Sequence, residues 1–134
     1  MADILVDSNV ILDVVTDDPK WYDWSAGQLE KLAEDHTLVI NPIIYSEVSI
    51  DFDRIEDLDQ ALPSDFFRRD ALPWEAGFLA GKCFAKYRRS GGKRRSPLPD
   101  FYIGAHAAIG GIALLTRDAN RYKTYFPKVA LISP

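Results

Sequence analysis

Four acids stand where a chain of alternating strands and helices places its chemistry. Asp7 follows the apolar run Ile4-Leu5-Val6, and Glu47 is the one charged residue between Asn41 and Ile50. Asp100 opens the run Asp100–Ala107, and Asp118 follows Leu114-Leu115-Thr116-Arg117. Brought together, ionised carboxylates repel one another, and at least one pKa must rise unless a counter-charge is supplied. A divalent cation supplies it. An all-oxygen donor set suits Mg²⁺ or Mn²⁺ better than Zn²⁺, which prefers nitrogen and sulfur. Such a site holds a phosphate oxygen beside a metal-bound water and supports in-line hydrolysis of a phosphodiester.

Each acid also has a plainer reading. Asp7 and Asp100 can cap the helices they precede or open. Glu47 can be a solvated helix residue, with Asp51 one turn further on as a rival ligand on the same face. Asp118 can be a turn residue. His106 lies six residues past Asp100, pointing away from that acid's side of a helix, and reads as structural.

Charge is unevenly spread. The 134 residues carry a net charge of −4, yet seven cations and no acid fall between Lys82 and Arg95. Phosphate needs positive charge beside an acidic metal site. Arg88, Arg89, Lys93, Arg94 and Arg95 are therefore candidate contacts to the phosphates of a nucleic acid such as RNA. The alternative is a solvated helix end whose cations suit the C-terminal dipole, or a surface for an acidic partner.

Positioning these groups requires rigid mounts. Asp3–Val6, Thr37–Ile40, Ile112–Thr116 and Val129–Ile132 read as short strands. The continuous apolar runs among them suit strands covered on both faces. Helices are expected after Asp7, from Pro19 to Asp35, from Pro42 with Asn41 as cap, from Asp53 to Leu62, from Pro73 to Arg89 and from Asp100 to Gly110. Residues 64–72 have no assignment. Gly77, Ala80, Gly81 and Ala85 suggest close packing of the fifth helix. Gly104, Ala105, Ala107 and Ala108 suggest that the sixth lies tightly against a sheet. Strands separated by helices imply a parallel sheet with helices on both sides, and function beyond the carboxyl ends of its strands.

Apolar content of 47% fits a globular chain. No apolar run approaches the roughly 20 residues that span a bilayer, and Met1–Asp7 does not read as a signal peptide. Cys83 is the single cysteine, so no internal disulfide can form. A reducing, cytoplasmic setting is expected.

Asp7-Ser8-Asn9-Val10, Tyr45-Ser46-Glu47-Val48, Leu98-Pro99-Asp100-Phe101-Tyr102-Ile103-Gly104-Ala105-His106-Ala107 and Leu114-Leu115-Thr116-Arg117-Asp118 together resemble the acidic signatures of the PIN domain. The similarity is to VapC toxins of type II toxin–antitoxin pairs, in order and spacing over nearly the whole chain. It implies one PIN domain over residues 1–134, a three-layer α/β/α sandwich with a central parallel sheet. The activity implied is that of a Mg²⁺- or Mn²⁺-dependent endoribonuclease. Its implied partners are an RNA substrate, a VapB-type antitoxin and a second copy in a homodimer, for which the aromatic helix Trp21–Leu32 can supply apolar surface.

Carried over, Asp7, Glu47, Asp100 and Asp118 are the metal-binding, catalytic acids. Ser8, Asn9 and Thr116 resemble the polar residues that orient them. Asn120 is placed with them behind the metal ligands, at a position where some relatives have a further acid, which bears on whether a second metal is held. Two alternatives stay open: a metal-dependent nuclease of another nucleic acid, and a non-catalytic RNA-binding module.

Overall fold

The computed structural model describes residues 2–94 and 98–134. Among them, five strands form one parallel sheet: β1 (Asp3–Val6), β2 (Thr37–Ile40), β3 (Phe67–Arg69), β4 (Ala113–Leu115) and β5 (Leu131–Ile132), in the order β3-β2-β1-β4-β5. Seven helices flank it as the outer layers of an α/β/α sandwich: α1 (Ser8–Val15), α2 (Tyr22–Ala33), α3 (Pro42–Ser49), α4 (Ile55–Ala61), α5 (Trp74–Arg89), α6 (Pro99–Gly110) and α7 (Asn120–Tyr125).

The expected architecture follows from the apolar runs. Ile4, Leu5 and Val6, Leu38, Val39 and Ile40, and Leu114 and Leu115 are all buried, as strands covered on both faces must be. β1 is central because it pairs with both β2 and β4. The register Val6↔Leu115 aligns the carboxyl ends of β1 and β4. The Asp7 N–H extends that ladder by donating to the Leu115 carbonyl at 2.9 Å. Asn41 caps α3 as expected, its side chain accepting from the Ile44 N–H at 2.9 Å, with Pro42 in the first turn. Gly111 ends α6 in the left-handed conformation at φ 61°, which an L side chain rarely adopts.

Two elements escape the sequence pattern. β3 falls in the stretch without an assignment, because only Phe67 of its three residues is buried. Its exposed Arg68 pairs with Asp3 at 2.6 Å and Asp70 at 2.9 Å, so this edge strand is recognised by its ion pairs and not by apolar alternation. α7 is short and polar, and only Tyr122 of its residues is buried.

Some packing expectations change. α2 begins at Tyr22 and not at Pro19. On α5, Ala76 and Ala80 are buried, whereas a side chain at Gly77 or Gly81 would meet nothing within 4 Å. On α6 the tight contact is made by Gly104, and not with the sheet: a Cβ there would lie 2.4 Å from the Phe126 ring. Gly104 stands one turn beyond Asp100, so this contact sets how α6 seats. Gly104→Ala should lower stability by about 1–3 kcal/mol through overpacking, seen as a reduced midpoint in urea.

Candidate active site

Asp7 is the first residue beyond β1 and occupies the cap position of α1, yet its side chain accepts no capping hydrogen bond. The carboxylate instead turns into the protein and is 3% exposed. Its Oδ2 accepts from the Thr116 hydroxyl at 2.9 Å and the Tyr122 hydroxyl at 2.8 Å. Asn9 Nδ2 adds a longer contact at 3.4 Å. Thr116 immediately follows β4, and Tyr122 comes from α7, so one carboxylate joins three parts of the chain. The capping reading of Asp7 is thereby set aside.

Glu47 reaches the same point from α3. The Ser8 hydroxyl donates to Glu47 Oε1 at 2.7 Å and stands 3.4 Å from Asp7 Oδ1. Asp100 approaches from the first turn of α6, with Oδ1 3.4 Å from the Tyr122 oxygen. A phenol has one proton, and the 2.8 Å contact gives it to Asp7. Asp7, Glu47 and Asp100 are therefore linked through two hydroxyls, those of Ser8 and Tyr122. Asp118 is exposed and shares a cleft with Asp100. Its backbone N–H donates to the Thr116 hydroxyl oxygen at 3.1 Å. As they stand, no three His, Cys, Asp or Glu side chains among the described residues converge closely enough to hold a metal ion.

The electrostatics follow from this crowding. Burial raises the Asp7 pKa to about 6; the Tyr122 and Thr116 hydrogen bonds lower it, and the charges of Asp100 and Glu47 raise it further. Glu47 is raised by burial and by Asp100, against the Ser8 hydrogen bond. Asp100 is also raised by burial, with Arg121 opposing and Asp118 reinforcing. Desolvation and the surrounding negative charge push the Tyr122 phenol well up.

The supporting polar residues divide. Ser8, Asn9 and Thr116 bond to the acids or to one another: Asn9 Nδ2 donates to Thr116 Oγ1 at 3.3 Å, while Asn9 Oδ1 accepts from the Arg117 N–H at 3.1 Å. Asn120 is exposed and lines the cleft beside Asp100 and Asp118. Arg88, Arg89, Lys93 and Arg94 are exposed, and Arg88 donates to the Arg94 carbonyl. None of the described contacts joins them to the four acids, and Arg95 lies outside the described residues. Asp51 is exposed and makes no described contact with the other acids. His106 is buried and bonds to Asn41 at 2.9 Å, a structural role as expected.

Three participants carried no signal of their own in the sequence. Tyr122 and Arg121 lie in the unread α7; the spacing of Tyr122 and Phe126, both buried, was the available clue. The third is the ion pair of buried Asp13 with partly exposed Arg117: Asp13 Oδ2 accepts from Arg117 Nε at 2.8 Å and from the Ser25 hydroxyl at 2.7 Å. Arg117 also lies over the Trp21 ring at 5.6 Å. This pair clamps the turn carrying Asp118 against α1. A separate groove of about 400 Å³, lined by Val14, Leu29 and Phe66 among others, is apolar and contains none of the four acids.

Two outcomes follow from these arrangements. Arg117→Ala leaves Asp13 buried without its counter-ion and should cost roughly 2–4 kcal/mol in urea unfolding. Adding Asp13→Ala should cost less than the sum of the two single substitutions, because the Asp13–Arg117 pair can be lost only once; what it adds is the Ser25 hydrogen bond, offset by removal of the stranded charge. For Asp7, the folded-state pKa lies above the unfolded value near 3.8. Its protonation contributes stability below that value, and the contribution is lost as pH rises through about 6. Metal-free protein should lose on the order of 1 kcal/mol from this group between about pH 5 and about pH 7.5. Unfolding of Asp7→Asn in EDTA should lack that part of the pH dependence.

A model of the PIN domain matches residues 4–127. No curated protein matches the sequence significantly. Among solved structures, the chain is similar to VapBC2 from Rickettsia felis bound to a DNA fragment from their promoter, with TM-score 0.73, 18% identity and 98% of each chain covered. It is similar to VapBC-1 from nontypeable Haemophilus influenzae, with TM-score 0.70, 18% identity and coverage of 98% of this chain and 97% of that one. A toxin–antitoxin complex from Klebsiella pneumoniae gives TM-score 0.66 and 19% identity over 95% of each chain. With the family model spanning β1 through the residues just beyond α7, and the acids of β1, α3, α6 and the β4–α7 turn gathered at one end of a parallel sheet, the chain belongs to the PIN domain family.

Proposed function

We propose that this protein is the toxin of a type II toxin–antitoxin pair, a Mg²⁺- or Mn²⁺-dependent endoribonuclease held in check by a VapB-type antitoxin. The observation that carries the reading is the Asp7 carboxylate, desolvated at the end of a central strand and raised by Glu47 and Asp100. Acids with pKa values raised by burial and by one another concentrate at functional sites, and family membership makes nuclease chemistry the natural one. The similar folds among VapBC complexes support the toxin reading and the antitoxin partner.

The donor set fits a hard cation. It is all oxygen, with no histidine or cysteine, and burial and mutual repulsion give it a reason to accept positive charge. Asp7, Glu47 and Asp100 would hold the ion, with Asp118 at the rim. When bound, Mg²⁺ or Mn²⁺ acidifies a coordinated water and neutralises charge developing on a phosphodiester oxygen.

The chain's own part is to prepare the ligands. Thr116 and Tyr122 fix the plane of the Asp7 carboxylate, and Ser8 holds Glu47 toward it. Asp7 is rigid, whereas Asp100 is 39% exposed and can turn toward an incoming ion. RNA recognition falls to cations, for which the exposed Arg88, Arg89, Lys93 and Arg94 remain candidates, as does Arg95, which lies outside the described residues. Single-stranded or looped RNA is the accessible target.

The protein is expected to act in the cytoplasm; among the described residues no helix is long and apolar enough to cross a membrane. A homodimer belongs to the same proposal. Trp21 and Trp24 are half-buried against each other, so α2 offers less apolar surface than expected. Trp74 and Phe78 on α5, 92% and 70% exposed, offer more.

Purified protein should cleave single-stranded RNA in Mg²⁺ or Mn²⁺ and stop in EDTA. Asp7→Asn and Asp100→Asn should each lose at least about a hundredfold in kcat/KM while still folding. Undiminished cleavage by either variant, or equal cleavage of DNA, would overturn the endoribonuclease assignment.

A further inference from the structure

Beside the acids lies an open cleft of about 410 Å³, lined by Tyr87, Asp100, Asp118, Asn120, Thr124 and Tyr125, with Arg121 among them. Its size falls in the lower part of the roughly 300–1,000 Å³ range of small-ligand sites. Two of its walls are candidate metal ligands, so whatever occupies it is adjacent to the reacting centre. An anion can enter only where positive charge offsets those acids, and among the described residues Arg121 is the one cation in the lining.

Arg121 is held unusually well for a half-exposed arginine. Its guanidinium lies 5.8 Å from the Tyr87 ring centroid and 5.6 Å from that of Phe101. Those rings are themselves fixed, 5.6 Å apart and edge to face, with Tyr87 stacked on Phe84 at 5.9 Å. Gly92 closes over Tyr87: a Cβ there would lie 2.3 Å from the ring. Cation–π contacts position a guanidinium without consuming its N–H donors in the ring plane. The ion pair of Arg121 with Asp100 Oδ2 is 3.8 Å long, beyond hydrogen-bonding distance. A planar fork of donors thus lines a cleft beside the acids, and such a fork is well matched to a phosphate.

We propose that this cleft seats the nucleotide flanking the scissile bond, with the Arg121 guanidinium on its phosphate and the exposed Asn120 and Thr124 side chains beside its base or sugar. The assignment rests on the nuclease reading above and adds a residue that contacts substrate outside the acid set and outside the segment Arg88–Arg95. It gives Asn120 a place in the cleft instead of a role behind the metal ligands. Tyr87 is a positioning residue: it acts through Arg121.

The test separates the subsite from the nuclease reading. Protein in Mg²⁺ is titrated with cytidine and adenosine 5′-monophosphate, and with inorganic phosphate and the unphosphorylated nucleosides as comparison arms. Binding is followed by the NMR shifts of the Asn120, Arg121 and Thr124 amides. The mononucleotides should move these resonances more than either comparison arm. Arg121→Gln should weaken mononucleotide binding about tenfold. Arg121→Lys, which keeps the charge but not the fork, should fall between. On single-stranded RNA, Arg121→Gln should raise KM more than it lowers kcat and reduce the salt slope of log K by about 0.7. Its Mn²⁺ affinity should not fall below that of the wild type, because the lost charge repels a cation at Asp100.

Absent shifts at the cleft, or an Arg121→Gln protein that binds mononucleotides as tightly as wild type, would overturn the subsite. So would a loss of Mn²⁺ affinity as large as the loss of nucleotide affinity, because Arg121 would then be acting as a support for Asp100. Arg121-dependent nucleotide binding in a protein that cleaves no RNA would leave the subsite standing and remove the nuclease reading.

Discussion

A carboxylate withdrawn from water at the end of a central strand must be compensated or neutralised, and the arrangement around Asp7 is organised by that requirement. Burying an ionised acid without partners costs several kcal/mol even after the protein relaxes. Here hydroxyls meet the need. Thr116 and Tyr122 donate at 2.9 and 2.8 Å, and Ser8 and Asn9 stand at 3.4 Å. Among the described residues, no buried side-chain nitrogen or oxygen lacks a partner. The same bonds fasten β1, the turn after β4 and α7 to one another. Compensation remains incomplete, because Glu47 and Asp100 add negative charge to a point that hydroxyls satisfy only by hydrogen bonding.

That residual instability connects structure to function. A site fully satisfied by its own side chains has no electrostatic reason to bind a cation. One that is desolvated, crowded with acids and only partly satisfied gains free energy when a cation arrives. The acids differ in how tightly they are held. Asp7 is locked, Glu47 is held by one hydroxyl, Asp100 is partly exposed, and Asp118 is on the surface. A rigid anchor with progressively freer partners can close on an ion without rearranging the fold.

Aromatic packing supplies the stiffness on the other side of the site. Phe101, next to Asp100, is fully buried and meets Phe84, Tyr87 and Tyr125 with centroids 6.3, 5.6 and 5.2 Å away. These rings come from α5, α6 and α7, so the helices carrying Tyr87, Asp100 and Arg121 are packed against one another through one aromatic cluster. Edge-to-face pairs add about 0.5–1.5 kcal/mol each beyond the area they bury. The Asp13–Arg117 pair does the corresponding work across the sheet, joining the Asp118 turn to α1 and, through Ser25, to α2.

Much of this was legible in the sequence. Apolar runs with no polar face specify strands buried on both sides, and helical spacing between them specifies a parallel sheet; both are local properties that survive any reasonable packing. Asp7 and Asp118 could be placed beyond strand ends, and Asn41 as a cap, for the same reason. β3 and α7 were not legible, because Arg68 and Arg69 satisfy an edge strand through charge and a six-residue polar helix has too few apolar positions to show a period. Nor could sequence decide which residues complete the site. Tyr122 serves Asp7 across 115 positions of chain, and Arg117 serves Asp13 across 104. The sequence by itself determined the elements and the acids at their ends. Tertiary structure alone decided which hydroxyls donate to those acids and which arginine lines the cleft, because hydrogen bonds and ion pairs depend on distances that only the packed helices set.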